Sequence, residues 1–147
     1  MAAINDTSFI LIGGAMSENY LIGGNLTQIY NLETRTWTRM PDMEPGRYRP
    51  KCMNYMDGIM VAGGVKAKFG EISNDVNFFN LTTNMWQKFP SMNQGHEIHI
   101  LAPVNGIPTV IGDYSEQYIN GKWNNWIEHA PIDYHSFVQV PKNDFHC

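Results

Sequence analysis

The residues able to do chemistry are few and badly spaced for it. His96 and His99 stand three apart, one in a loop and the other at the start of a strand. Zinc needs three or four convergent ligands, so this pair reads as surface or rim residues. His129, His135 and His146 have no partner at ligand spacing. Cys52 and Cys147 are too few for a disulfide framework, and no Cys-x-x-Cys pair is present. No Gly-x-Ser-x-Gly nucleophile elbow occurs. Gly13-Gly14 and Gly63-Gly64 invite comparison with phosphate-cradling loops. That chemistry needs a helix after the glycines and a Lys-Ser/Thr pair, and neither follows. Glycine pairs at strand ends serve instead where the chain turns sharply or another backbone comes close. No catalytic, metal-binding or cofactor-binding residue is therefore expected.

Charge gives a second set of candidates. The chain has 147 residues and a net charge of −4, with 43% hydrophobic and 16% charged residues. A packed core is within reach and a nucleic-acid footprint, which needs a basic face, is not expected. Against that acidic background Arg47, Arg49, Lys51, Lys66 and Lys68 form a local basic cluster. Such a cluster can dock an acidic peptide, and a solvated rim is the plainer alternative. Apolar runs such as Phe9–Ile12 are far too short to span a bilayer, and no charged segment precedes a long apolar run. The expected compartment is the cytoplasm, with no membrane partner. Three Asn-x-Thr sequons, at Asn5, Asn25 and Asn80, would matter if this were a piece of a secreted protein. Asn at a turn also has a purely conformational use.

The elements that position these residues repeat. Gly13-Gly14 returns as Gly63-Gly64 after 50 residues and as Gly112-Asp113 after a further 49. Tyr30, Phe79 and Tyr118 step by 49 and 39, and Pro41, Pro90 and Pro131 by 49 and 41. Trp37, Trp86 and Trp126 keep the same order, although Trp123, just after the type I′ turn signal Asn120-Gly121, competes with Trp126 for the third place. Asp113 in place of the second glycine predicts a differently shaped turn. Short β-branched and aromatic runs separated by Asn, Gly and Pro are strands, and no segment keeps a 3.6-residue apolar period over ten residues. The spacing predicts strands near 2–5, 8–13, 27–31 and 36–40; near 51–56, 58–63, 75–80 and 85–89; and near 99–104, 107–112, 115–120 and 122–128.

Four short strands in each unit of 40 to 50 residues, with a glycine pair, an aromatic and a tryptophan, resemble kelch repeats. The resemblance implies an all-β fold: a kelch-type β-propeller segment of three four-stranded blades, over residues 1–43, 44–92 and 93–132, plus an extra strand at 135–141. The tryptophans and their aromatic partners would pack between blades. Among proteins similar to kelch, the plant specifier proteins hold iron with Glu-x3-Asp-x3-His. Glu71 and Asp75 match the first two positions, but Phe79 stands at the third, which removes that site. The copper ligand set of galactose-oxidase-like proteins cannot be assembled.

In a propeller, function lives in loops held at the two ends of a rigid scaffold. The loops after the glycine pairs, 15–25 and 65–74, and the connections 42–50, 92–96 and 130–134 should share one end. They bring Tyr20, Arg47, Tyr48, Arg49, Lys66, Lys68 and Phe69 together as candidate partner-binding residues, and Tyr and Arg are types that dominate binding hot spots. Kelch adaptors of cullin-type ubiquitin ligases use such a face for short peptides, although no BTB domain lies in this sequence. The expected function is a non-catalytic scaffold for a protein or peptide partner. The alternative is part of a propeller enzyme, sialate epimerase-like or oxidase-like, whose site needs further blades. Closed propellers have four to eight blades. Three therefore imply either a fragment or two chains forming a six-bladed ring, with strand 135–141 of one completing the short first strand of the other.

Overall fold

A computed structural model describes residues 1–14, 24–66, 70–97 and 100–128. All regular structure among them is strand: β1 (Ala2–Asn5), β2 (Ser8–Ile12), β3 (Thr27–Asn31), β4 (Thr36–Arg39), β5 (Arg47–Tyr48), β6 (Lys51–Tyr55), β7 (Gly58–Ala62), β8 (Val65–Lys66), β9 (Val76–Asn80), β10 (Met85–Phe89), β11 (Ile100–Val104), β12 (Ile107–Ile111), β13 (Tyr114–Ile119) and β14 (Lys122–Glu128). They form three four-stranded antiparallel meanders, β1-β2-β3-β4, β6-β7-β9-β10 and β11-β12-β13-β14, with β5 and β8 as a separate two-stranded ladder. The chain is a β-propeller-like segment. Its innermost strands lie side by side, β1 against β6 and β6 against β11. The expected extra strand at 135–141 lies outside the described residues.

Turn chemistry closes the hairpins at the end of the sheets away from the glycine pairs. Asn105-Gly106 and Asn120-Gly121 both take positive φ, +51° and +77°, +52° and +80°, the two left-handed residues that a type I′ turn demands. The loops Asn31–Arg35 and Asn80–Asn84 are copies of one another. Asn31 Oδ1 accepts the amides of Glu33 and Thr34, and Asn80 Oδ1 those of Thr82 and Thr83. Asn5 caps Thr7 in the same manner. The sequon residues Asn5 and Asn80 are thus turn-formers. No helix among the described residues is long and apolar enough to cross a membrane.

Side-chain alternation sorts each sheet into two faces. In β7, Ile59 and Val61 point to the first sheet while Met60 and Ala62 point to the third, so the strand is buried throughout. One junction packs Ala2, Ile10 and Ile12 against Cys52, Ile59, Val61 and Phe79, with Met43 inserted from the connecting segment. The other packs Met53, Met60, Ala62 and Val76 against Leu101, Val110 and Trp123, with Met92 in the place of Met43. Fully buried Phe79 and Met60 each contribute roughly 1.5–3 kcal/mol by leaving water.

The tryptophans tie the sheets together. Trp86 lies opposite Phe79 and donates Nε1–H to the Pro41 carbonyl at 2.8 Å; Trp123 lies opposite Tyr118 and donates to the Pro90 carbonyl at 3.0 Å. This settles the third repeat in favour of Trp123, which is 5% exposed, and against Trp126, which is 41% exposed. The two-residue turn Asn120-Gly121 replaces the longer Asn80–Asn84 loop and brings the tryptophan forward in sequence. Substituting Trp86 by Phe should remove one hydrogen bond together with part of the ring's apolar contact. It is expected to cost about 1–3 kcal/mol, read as a lower urea midpoint at unchanged m.

The first strand occupies the expected residues, with β1 paired along β2 through Ala2↔Ile10, Ala3↔Phe9 and Asn5↔Ser8.

Candidate partner-binding face

The strand directions place the described parts of the loops after the glycine pairs, and the connections 42–50 and 92–96, at one end of the described structure. Backbone hydrogen bonds knit them together twice, in the same way. Met43 N–H donates to the Asn25 carbonyl and Met92 N–H to the Asn74 carbonyl. Arg47 N–H donates to the Gly24 carbonyl and His96 N–H to the Ser73 carbonyl. Gly14 N–H and Gly64 N–H donate to the carbonyls of Arg47 and His96. The glycine pairs are explained by this close approach. A Cβ on Gly13 would come within 2.6 Å of the Arg47 carbonyl oxygen, and one on Gly64 within 2.7 Å of that of Tyr48. Both glycines also have positive φ, +72° and +90°. Their structural reading stands, because the Gly14 and Gly64 amides point at backbone. Gly112 and Asp113 take no positive φ, which fits their shorter turn between β12 and β13.

Arg47 and Tyr48 pair with Lys66 and Val65 in the β5–β8 ladder, so the structure does bring three of the candidates side by side. Arg47, however, is 0% exposed and leaves the set of partner-binding residues. Its guanidinium crosses into the second sheet, where Nη1 donates to the Asp75 carbonyl at 2.6 Å and Nη2 to Asn77 Oδ1 at 2.7 Å and Met43 Sδ at 3.4 Å. Burial lowers its pKa to about 10, partly countered by the Asp75 carboxylate, so it stays charged at neutral pH. Arg49 remains largely exposed, with Nη1 at 2.7 Å from Glu97 Oε1 of the next connection. Lys66 is half-buried, 3.5 Å from Asp75 Oδ2. Lys51 is exposed at the start of β6. Tyr20, Lys68 and Phe69 lie outside the described residues.

The basic cluster is therefore partly neutralised from within. Asp75 receives Ser73 Oγ–H at 2.9 Å, and Lys88 Nζ lies 3.9 Å away beside Lys66. Burial alone would raise its pKa. The Ser73 hydrogen bond and the charges of Lys66, Arg47 and Lys88 outweigh burial and hold it below the usual carboxylate range.

A second polar cluster was missed at the sequence level. His96, expected at the rim, is buried with its Nε2 at 3.3 Å from Glu116 Oε1. Glu116 is fully buried and accepts the Asn93 amide at 2.8 Å and the Gln94 amide at 2.9 Å. Burial pushes its pKa up, but the His96 and backbone hydrogen bonds more than offset this and the net direction is downward. The usable signal was the repeat itself. His96 follows Arg47 by 49 residues, and Glu116 sits two before Tyr118 as Asn77 sits two before Phe79. His99 lies outside the described residues. No cluster of three or more His, Cys, Asp or Glu side chains suited to a metal occurs among the described residues.

No protein-family model matches the sequence, and no curated protein matches it. A solved structure named YjhT superposes with a TM-score of 0.70 at 15% sequence identity, over 88% of this chain and 51% of its own. The likeness is one of fold, and the chain spans about half the length of that structure.

Proposed function

We propose that this chain is part of a kelch-type propeller that serves as a non-catalytic scaffold, taking an extended acidic segment of a partner protein across its loop end. One observation carries the reading. The β5–β8 ladder holds Tyr48 and Lys66 at that end, and Arg49, the residue after β5, already binds a carboxylate, that of Glu97, at an exposed position. A partner carboxylate would replace Glu97 on the guanidinium, while the half-buried Tyr48 ring offers apolar area beside it. An exposed ion pair of this kind is held by at most about 1 kcal/mol, so displacing Glu97 is inexpensive.

The test is binding to an array of extended peptides that vary in the number and spacing of Asp and Glu. The wild type is expected to retain acidic peptides selectively. The double variant Tyr48→Ala/Arg49→Ala should bind them at least about tenfold more weakly, and Glu97→Gln should bind them more tightly by freeing Arg49. Retention that ignores peptide charge, or equal binding by the double variant, would overturn the reading.

A further inference from the structure

The cations at the loop end differ in what they already hold. Arg49 Nη1 lies 2.7 Å from Glu97 Oε1, and Lys66 Nζ lies 3.5 Å from Asp75 Oδ2. Arg47 is buried on the Asp75 carbonyl and Asn77 Oδ1. Lys51, exposed at the start of β6, has no carboxylate partner among the described residues. Glu97 is itself held in place through its neighbour His96. The His96 N–H donates to the Ser73 carbonyl, its carbonyl accepts the Gly64 N–H, and its ring meets buried Glu116. Glu97 is therefore a tethered carboxylate at high effective concentration beside Arg49. Arg49 and Lys51 stand on the same side of the second sheet. Lys51 pairs with Ala62 and alternates with Met53 and Tyr55, and those three pack toward the third sheet. Arg49 reaches Glu97 on the connection that leads to the third sheet. It takes a left-handed φ of +54° just before Pro50, a conformation uncommon for residues other than glycine. That turn carries the chain from β5 into β6 and keeps both cations at one end.

We infer that Lys51 sets the specificity of this end, and that the partner segment carries two acidic side chains separated by one residue, Asp/Glu-x-Asp/Glu. The inference deepens the loop-end reading proposed above and rests on it. A ligand with one carboxylate displaces Glu97 from Arg49, so one carboxylate replaces another and the exchange yields little. Lys51 has no such partner to give up. The net electrostatic gain therefore comes from a second carboxylate placed on Lys51. The spacing follows from chain geometry. Residues i and i+2 of an extended segment lie about 7 Å apart and point to the same face. Arg49 and Lys51 are likewise two residues apart, a separation of at most about 7 Å along the chain. Adjacent acidic residues in an extended segment point to opposite faces and would serve only one of the two cations. Lys66, already facing Asp75, is a poorer second anchor.

The experiment is a fluorescence-polarisation titration with three labelled extended peptides of otherwise identical sequence. One carries a single Glu, one a Glu-x-Glu pair and one an adjacent Glu-Glu pair. The wild type should bind the Glu-x-Glu peptide about fivefold more tightly than the other two. Lys51→Gln should bind the single-Glu peptide as the wild type does and lose the preference for the pair. Lys51→Glu should reverse the preference and Lys51→Arg should keep it. Raising the salt to about 0.5 M should shrink it, since both contacts are exposed. Unchanged urea midpoints would show that the variants stay folded. An equal preference in the wild type and Lys51→Gln, or a preference for the adjacent pair, would overturn the inference and leave the loop-end reading standing. Failure of the wild type to retain any of the three peptides would overturn both.

Discussion

Replacing Arg47 by Ala should destabilise the fold by about 3–5 kcal/mol, a large share of the 5–15 kcal/mol that a domain of this size has in hand. The guanidinium is fully buried and links the connection after the first sheet to two acceptors of the second, the Asp75 carbonyl and Asn77 Oδ1. Its loss leaves Asn77 Oδ1 without that donor and opens a cavity under Met43. It also takes from Asp75 one of the charges that hold its carboxylate ionised. Arg47→Met separates these effects, since an unbranched apolar side chain fills most of the space but donates nothing. It is expected to recover the cavity part and to remain about 2 kcal/mol below wild type. Urea unfolding of both variants at constant m is the measurement. A Met variant as stable as wild type would mean that packing, and not the hydrogen-bonded charge, is what Arg47 contributes.

Glu116→Gln should cost about 2–3 kcal/mol at neutral pH although it is isosteric. The carboxylate uses both oxygens as acceptors, Oε2 for the Asn93 amide and Oε1 for the Gln94 amide and His96. An amide has one acceptor, so a buried donor would face an NH2 group. The same substitution should change the acid limb of stability. Glu116 and Asp75 both have folded pKa values below their ordinary ones, so near pH 4 the unfolded chain binds more protons than the folded one. Stability from these groups is present above their ordinary pKa and is lost as pH falls through the lower folded values. Each contributes a slope of at most about 1.4 kcal/mol per pH unit. Glu116→Gln should therefore flatten the stability profile below about pH 4.5, leaving the part due to Asp75. An unchanged slope would show that Glu116 binds its proton equally well in the folded and unfolded chain, and that its buried partners do not favour the carboxylate.

Much of this architecture was legible because its signals are local. A two-residue turn such as Asn120-Gly121 is dictated by which residues tolerate positive φ. A strand such as Gly58–Ala62 announces itself as an apolar run between turn residues, and predicted strand limits agree with the observed ones to within a residue or two. The repeat itself is visible because the first two sheets need a glycine where another backbone comes close, and the second and third need a ring and a junction-spanning tryptophan. The choice between Trp123 and Trp126 was not visible, since spacing alone favours the residue that the shortened turn displaces. Nor was the fate of the basic cluster. Arg47, Arg49 and Lys66 look alike in sequence, yet one is buried, one is ion-paired at the surface and one leans on Asp75.

What the sequence by itself determined, then, is the all-β repeat: strands, turns and the residues that mark each unit, all set by neighbours within a few positions. What only the tertiary structure decided is which polar groups are spent inside. Arg47 meets Asn77 across 30 residues and His96 meets Glu116 across 20, in the junctions between sheets. The physical reason is that burial and partnership are properties of packed surfaces. A charged side chain in a linear sequence does not reveal which face of which sheet will close over it.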